Sequence, residues 1–282
     1  YLMTKDNRVV VAGDSNYPDR VWQCSVGDET TWNANSDDYM DIGYQDKASV
    51  VGVTEFADGL YLVAKRGAGG IALYFMTSLS ESAPSYRKVS SVHCPINHHV
   101  IVDVLGQLWF MEDFTITTIT GTDAQGKIIP SSDPGLKLGT IASSTESSWA
   151  VVYPPDRQIW FCTPTSDYIY IYHYQIGAWT YFSFPIKLYS AFYLPSTGYL
   201  YFGGADGYIY RYDRVPSSYT DDGTPYTQTL KTRLIDLTPM RQKVVKDPTL
   251  VYETLEGCDG TFEIYDNFGR NSVYSRSFTA SG

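Results

Sequence analysis

Apolar and polar positions along the chain fall into one recurring pattern: a turn, then an apolar–aromatic–apolar triplet that begins a strand. It reads Asp58-Gly59 then Leu60-Tyr61-Leu62, Gly106-Gln107 then Leu108-Trp109-Phe110, and Asp156-Arg157 then Ile159-Trp160-Phe161. It recurs as Thr197-Gly198-Tyr199 before Leu200-Tyr201-Phe202, with a weaker copy at Asp6-Asn7 before Val9-Val10-Val11. The middle residues stand at 10, 61, 109, 160 and 201, giving spacings of 51, 48, 51 and 41. A strand-built period of roughly 40–50 residues is the signature of a β-propeller with one small antiparallel sheet per repeat. Equivalent strands would give Tyr61, Trp109, Trp160 and Tyr201 matching, buried places in successive blades.

The clearest repeat spans residues 148–184. It reads as an inner strand at 149–153, a turn at Pro154-Pro155-Asp156, and further strands at 158–162, 168–174 and 179–184. Tyr168, Tyr170, Tyr172 and Tyr174 alternate with Ile169, Ile171 and His173, so both faces of that strand are bulky. A sheet with one wet face would alternate apolar with polar; this one is sandwiched between neighbours. Other repeats place strands at 189–194, 199–203 and 208–212, at 50–56, 60–65 and 71–76, and at 98–105, 108–111 and 115–119. The first repeat begins with its second strand, 8–12, followed by 20–25, and its inner strand is missing. Residues 121–148, rich in Gly, Ser, Asp, Pro and Thr, read as a long connection with one short helical turn.

After Arg214 the composition changes. Pro216-Ser217-Ser218 and Asp221-Asp222-Gly223 punctuate the chain, and the triplet does not recur. The expected division is a propeller of five or six blades over residues 1–218 and a small antiparallel β domain over 219–282. That domain would have strands at 227–237, 249–255, 261–265 and 272–278. The fold class is all-β.

The 282 residues include 43% hydrophobic, 25 Tyr and only 18% charged positions, which excludes a disordered chain and a long exposed helix. The 21 Lys+Arg against 31 Asp+Glu leave a net charge of -10 without a basic cluster, so tight binding of nucleic-acid phosphates is not expected. Cys24, Cys94, Cys162 and Cys258 are far apart and lack CxxC spacing; they read as reduced, buried thiols. No apolar run reaches the roughly 18 residues that a membrane span needs, and no signal-peptide pattern opens the chain. It begins at Tyr1 without an initiator Met, which reads as a fragment.

Candidate chemistry is sparse. His93, Cys94, His98 and His99 cluster in sequence, but neighbours on a strand point to opposite faces, so no metal site is expected. The acidic stretch Asp37-Asp38-Tyr39-Met40-Asp41-Ile42-Gly43 lacks calcium-loop spacing and reads as a solvated loop. Arg66-Gly67-Ala68-Gly69-Gly70 has strands on both sides and no helix after it, so it is a hairpin tip and no phosphate cradle. There is no nucleophile elbow and no His-Glu-x-x-His pair. Glu55, Asp103 and Asp113 are on or beside predicted strands, where a propeller hydrolase would gather acids. No catalytic, cofactor or metal residue is assigned.

Four stretches together resemble the propeller-bearing structural proteins of tailed bacteriophages, in the tail and head–tail connection. The first runs from Arg8-Val9-Val10-Val11-Ala12-Gly13 through Arg20-Val21-Trp22-Gln23-Cys24-Ser25 to the acidic turn ending at Trp32. The second is Val51-Gly52-Val53 with Gly59-Leu60-Tyr61-Leu62-Val63-Ala64-Lys65-Arg66. The third joins Gly106-Gln107-Leu108-Trp109-Phe110-Met111 to Phe114-Thr115-Ile116-Thr117-Thr118-Ile119. The fourth is Leu200-Tyr201-Phe202-Gly203-Gly204-Ala205-Asp206-Gly207-Tyr208-Ile209-Tyr210, then Asp221-Asp222-Gly223 and Lys231-Thr232-Arg233.

The resemblance implies a non-enzymatic virion subunit located at the tail or head–tail junction. Its partners would be other virion proteins and copies of itself around the tail axis, with no cofactor and no membrane. The alternative is a secreted or surface propeller that binds glycans or proteins on one rim through aromatics such as Trp32 and Trp179. A propeller hydrolase or quinoprotein is the minor rival, and acids converging in the ring centre would mark it.

Overall fold

The computed structural model describes residues 1–5, 7–32, 38–43, 46, 48–56, 61–77, 84–122, 128–130, 141, 143–212, 220–221, 224–225, 259–266 and 271–279. The chain divides into two compact units, Tyr1–Ser218 and Tyr219–Gly282.

Among the described residues the first unit is a run of five antiparallel sheets, each a simple meander. Sheet 1 comprises β1 (Leu2–Lys5), β2 (Arg8–Ala12), β3 (Arg20–Gln23) and β4 (Tyr39–Asp41) in that order. Sheet 2 follows with β5 (Ala48–Glu55), β6 (Tyr61–Gly67), β7 (Gly70–Met76) and β8 (Tyr86–Ser90). Sheet 3 has β9 (Ile101–Val104), β10 (Gln107–Met111), β11 (Ile116–Thr122) and β12 (Ile128–Pro130). Sheet 4 has β13 (Trp149–Tyr153), β14 (Gln158–Cys162), β15 (Ile169–His173) and β16 (Ala178–Phe182), and sheet 5 has β17 (Leu188–Leu194), β18 (Tyr199–Gly204) and β19 (Ile209–Tyr212). First strands adjoin first strands: β5 packs on β1, β9 on β13 and β13 on β17. Consecutive meanders of four strands, with three described in sheet 5, joined in this way make a β-propeller architecture.

Strand alternation explains the packing. On β14, Ile159 and Phe161 enter the core shared with sheet 3, while Trp160 and Cys162 enter the core shared with sheet 5. On β6, Leu62 and Ala64 serve the core with sheet 3, while Val63 serves the core with sheet 1. Each internal sheet therefore buries both faces, which is why its strands read as unbroken apolar runs. Lys65 is in phase with Val63 and is fully buried. Its ammonium donates to Asp19 Oδ1 (2.9 Å), Asp46 Oδ1 (2.7 Å) and the Ile42 carbonyl (2.6 Å), so a charge crosses the interface between sheets 1 and 2 with its partners in place. Tyr74 completes the network by donating to Asp46 Oδ2 (3.1 Å).

The inner strands approach closely at Gly52, where a Cβ would be 2.9 Å from Ile101 Cδ1 and 3.4 Å from His98 Cα. Leu105 and Gly106 form the two-residue turn between β9 and β10 with φ of 55° and 76°, the paired positive values of a type I′ hairpin turn.

Five expectations need correction. The inner strand of the first repeat is present: β1 pairs with β2 from Leu2↔Val11 to Lys5↔Arg8. It is short and half polar, so it lacks the apolar signature of the other inner strands. The acidic stretch after Asp37 is not a loop, because Tyr39–Asp41 is the outer strand of sheet 1, anchored by Arg20 to Asp41 (2.6 Å). The connection predicted for 121–148 contains β12, whose Ile128-Ile129 pair is hidden among small and polar residues. His98 is not on a strand: His98–Val100 is a 3-10 turn that precedes β9. Finally, Tyr201 is only half-buried, unlike Trp109 and Trp160 (4% and 0% exposed), because no core cluster among the described residues covers its side of sheet 5. The side chain of Tyr61 lies outside the described residues.

In the second unit, β20 (Thr220–Asp221) pairs with β21 (Thr224–Pro225), and β22 (Asp259–Asp266) pairs with β23 (Asn271–Thr279). The strands expected at 227–237 and 249–255 lie outside the described residues. No helix among the described residues is long and apolar enough to cross a membrane.

Candidate functional site

The histidines do not converge on one point. Asn97 caps the turn at His98 by accepting from the His99 amide (2.6 Å), and its amide group donates to the carbonyls of Glu146 (3.1 Å) and Ser148 (3.0 Å). This cap places the His98 and His99 rings side by side, 5.9 Å apart at 69°, rather than on opposite faces. Tyr1 lies against His98 at 5.5 Å. Burial, then the charges of His99 and the amino terminus, push the His98 imidazole down to about 4; the ring is neutral at pH 7.

His93 belongs to a separate group, with Nδ1 3.0 Å from Glu112 Oε1. Burial raises the Glu112 carboxyl, opposed by His93. A His–carboxylate pair can serve as a general base when a nucleophile lies within reach. The adjacent thiol cannot serve as one. Cys94 is buried and donates to the Lys65 carbonyl (3.3 Å), and desolvation pushes it up to about 12. A thiol held in that state is chemically inert. Cys162 is likewise buried and raised to about 12, and Cys24 is buried and free; Cys258 lies outside the described residues. Among the described residues no three His, Cys, Asp or Glu side chains come together as metal ligands.

The three acids on predicted strands go separate ways. Asp113 accepts from Arg66 at 2.7 and 2.8 Å, Asp103 accepts from the Gly106 amide at 3.0 Å, and Glu55 is exposed at the end of β5. Arg66-Gly67 closes β6 and Gly70 opens β7, so Ala68-Gly69 is a hairpin tip. Trp32 is exposed and donates Nε1 to the Glu29 carbonyl (2.7 Å), whereas Trp179 is half-buried against Tyr172 (4.9 Å).

The first and last sheets of the first unit carry aromatic residues whose grouping at the surface sequence reasoning did not single out. On sheet 1, Arg20 lies over Tyr17 (4.3 Å), Trp22 (4.9 Å) and Tyr39 (3.7 Å) while paired to Asp41. This aromatic cage already contains its cation.

On sheet 5 one face is in the core through Leu188, Ala191, Tyr193, Leu200 and Phe202. The register Phe192↔Tyr201, Leu194↔Tyr199 and Gly203↔Ile209 puts these residues on the other face. Phe192 and Tyr201 stack at 5.1 Å and 13°, and Arg211 lies 4.5 Å over Tyr199. Phe192 is 51% and Ile209 73% exposed. Among the described residues no core cluster includes this face. Contiguous exposed aromatic and aliphatic side chains mark an interaction surface, while single exposed apolar residues are ordinary. The sequence signal was the apolar alternation of Phe192 with Ala191 and Tyr193, which indicates a strand covered on both sides.

No family model matches this chain, and no curated protein is similar to it. Similar solved structures include a protein from Lactobacillus plantarum, 15% identical, covering 76% of this chain and 69% of that one with a TM-score of 0.48. Dihydro-heme d1 dehydrogenase NirN is 17% identical over 76% of this chain and 44% of its own, with a TM-score of 0.43. The extracellular domain of a one component system from B. thetaiotaomicron is 17% identical over 61% of this chain, with a TM-score of 0.41. This chain spans about a fifth of that last protein. Identities this low and TM-scores below 0.5 leave the architecture to be read from the sheets themselves. None of these three descriptions mentions a phage.

Proposed function

We propose that the protein is a non-catalytic β-propeller that acts as a scaffold within a protein assembly, held there through the aromatic face of sheet 5. The observation that carries this reading is the stacked, half-exposed Phe192–Tyr201 pair with Ile209 and Leu194 beside it, on a sheet whose opposite face is core. The titratable groups support it from the other side, since His93, Asp113 and Lys65 each face a structural partner. The assembly we favour is the virion of a tailed bacteriophage, on the resemblance carried by residues 8–32 and 200–210. The partners there are other virion proteins, and the acidic balance disfavours tight binding to DNA.

The test is incorporation. Phe192→Asp combined with Tyr201→Asp should leave a folded protein that no longer co-purifies with virions of the source phage. Wild-type protein absent from purified virions would end the phage reading, and normal incorporation of the double variant would end the role of this face.

A surface propeller that holds a ligand on one rim is the second reading. It is favoured by Tyr168 and Tyr181, both 48% exposed with ring centroids 5.0 Å apart.

A further inference from the structure

Between the β14–β15 loop and the crossover from sheet 4 to sheet 5 lies a cleft of about 100 Å³. Pro164, Phe184 and Pro185 line its apolar part, with Asp167, Tyr168 and Lys187 at its polar part. The walls are fixed by hydrogen bonds. Thr163 and Thr165 both donate to the Ser143 carbonyl (3.0 and 2.6 Å), and the Tyr168 amide donates to Ser166 Oγ (2.9 Å). Lys187 ties the loop to the crossover by donating to the Ser166 carbonyl and to Asp167 Oδ1, each at 2.7 Å.

We infer that this cleft is a binding site for a neutral pyranose, the terminal sugar of a glycan. Three features match that chemistry. Tyr168 presents a flat, half-exposed ring, backed edge-to-face by Tyr181 at 69°, on which the C–H face of a sugar can lie. Beside it the Lys187 ammonium has used two of its three N–H donors, and Asp167 has a second carboxylate oxygen in solvent. A vicinal diol fits such a pair, one hydroxyl accepting from the ammonium and the other donating to the carboxylate. Pro164, Phe184 and Pro185 add apolar lining against which an exocyclic methylene can rest. A charged sugar is a poorer fit, because the site offers equal and opposite charges.

Fixed walls mean that little ordering is required on binding, yet the cleft is shallow, and affinities in the millimolar range are expected. The site gives the exposed tyrosine pair a ligand class and stands whether the protein belongs to a virion or to a cell surface.

The experiment is saturation-transfer NMR on the full chain with maltose, lactose and cellobiose in turn. The expected result is transfer to at least one of them, weakened about tenfold in Tyr168→Ala and reduced in Asp167→Asn, with unchanged melting temperatures. Asp167 is an exposed side chain, so that second variant stays informative if Tyr168→Ala loses its fold. No transfer from any of the three sugars would overturn the assignment, as would transfer unaffected by either substitution. The Phe192→Asp variant should bind sugar normally, so a failure of the sheet 5 interface leaves this result separate.

Discussion

Replacing Lys65 by Met tests the packing of sheets 1 and 2 most directly. Methionine keeps the length of the side chain and its apolar stem, so little cavity is created. The ammonium is lost, and with it the hydrogen bonds to Asp19, Asp46 and the Ile42 carbonyl. Removing one partner of a fully buried pair costs about 3–5 kcal/mol. The carboxylates retain 23% and 27% exposure, so water compensates them in part and the lower end applies. The Ile42 carbonyl stays buried without this donor, and that loss is worth about 1–3 kcal/mol on its own. An overall cost of about 3 kcal/mol should lower the melting temperature of the first unit by about 6–12 °C.

A pH series separates this from simple mispacking. Burial opposes ionisation of Asp46, yet Lys65, helped by the Ala48 amide and the Tyr74 hydroxyl, brings the carboxyl below its ordinary 3.8. A depressed folded-state value gives stability that is full above the unfolded value and lost as pH falls through the folded one. The wild type should therefore lose this contribution as pH falls below 3.8, and Lys65→Met should show a smaller loss from Asp46, which keeps its bonds from the Ala48 amide and Tyr74. Calorimetry across that range measures both. A melting temperature within about 2 °C of wild type for Lys65→Met would refute the reasoning.

Two further outcomes follow from burial. Trp160→Ala should cost about 3–5 kcal/mol in chemical denaturation, whereas Tyr201→Ala, at the equivalent place but only half-buried, should cost less than half as much; equal losses would count against the sheet 5 face being open. Cys94 and Cys162, raised to about 12 by burial, should resist alkylation in the native protein at pH 8 and react on unfolding, and rapid native labelling of either by mass spectrometry would contradict the buried positions.

The repeat was readable because each second strand carries large apolar residues on both faces. Trp109 and Trp160 stand out for that reason, and so does the order of the sheets. What stayed hidden depended on tertiary partners. Leu2–Lys5 is a strand because β2 offers it a ladder, and Tyr39–Asp41 is one because Arg20 neutralises its acid. His98 left the strand because Asn97 caps the turn, a bond whose anchors at Glu146 and Ser148 are about fifty positions away in the chain. The sheet 5 face posed the opposite difficulty. Phe192 and Tyr201 read as core, and they are surface because no core cluster among the described residues covers that face. The cleft at Tyr168 could not be read at all, since Lys187 and Asp167 meet only when sheets 4 and 5 pack.

The close contact at Gly52 bears on how such a chain can diverge. Where sheets 2 and 3 touch near their first strands, any larger side chain would press on Ile101 and the His98 backbone. At the hairpin tips around Gly70, Gly106, Gly198 and Gly207 an added Cβ would meet nothing, although the positive φ at each keeps glycine itself favoured there. The turns at the tips thus have open space around them that the inner strands lack. Insertions should therefore be accepted at those tips, while a larger side chain at Gly52 should be taken only where the end of Ile101 gives way.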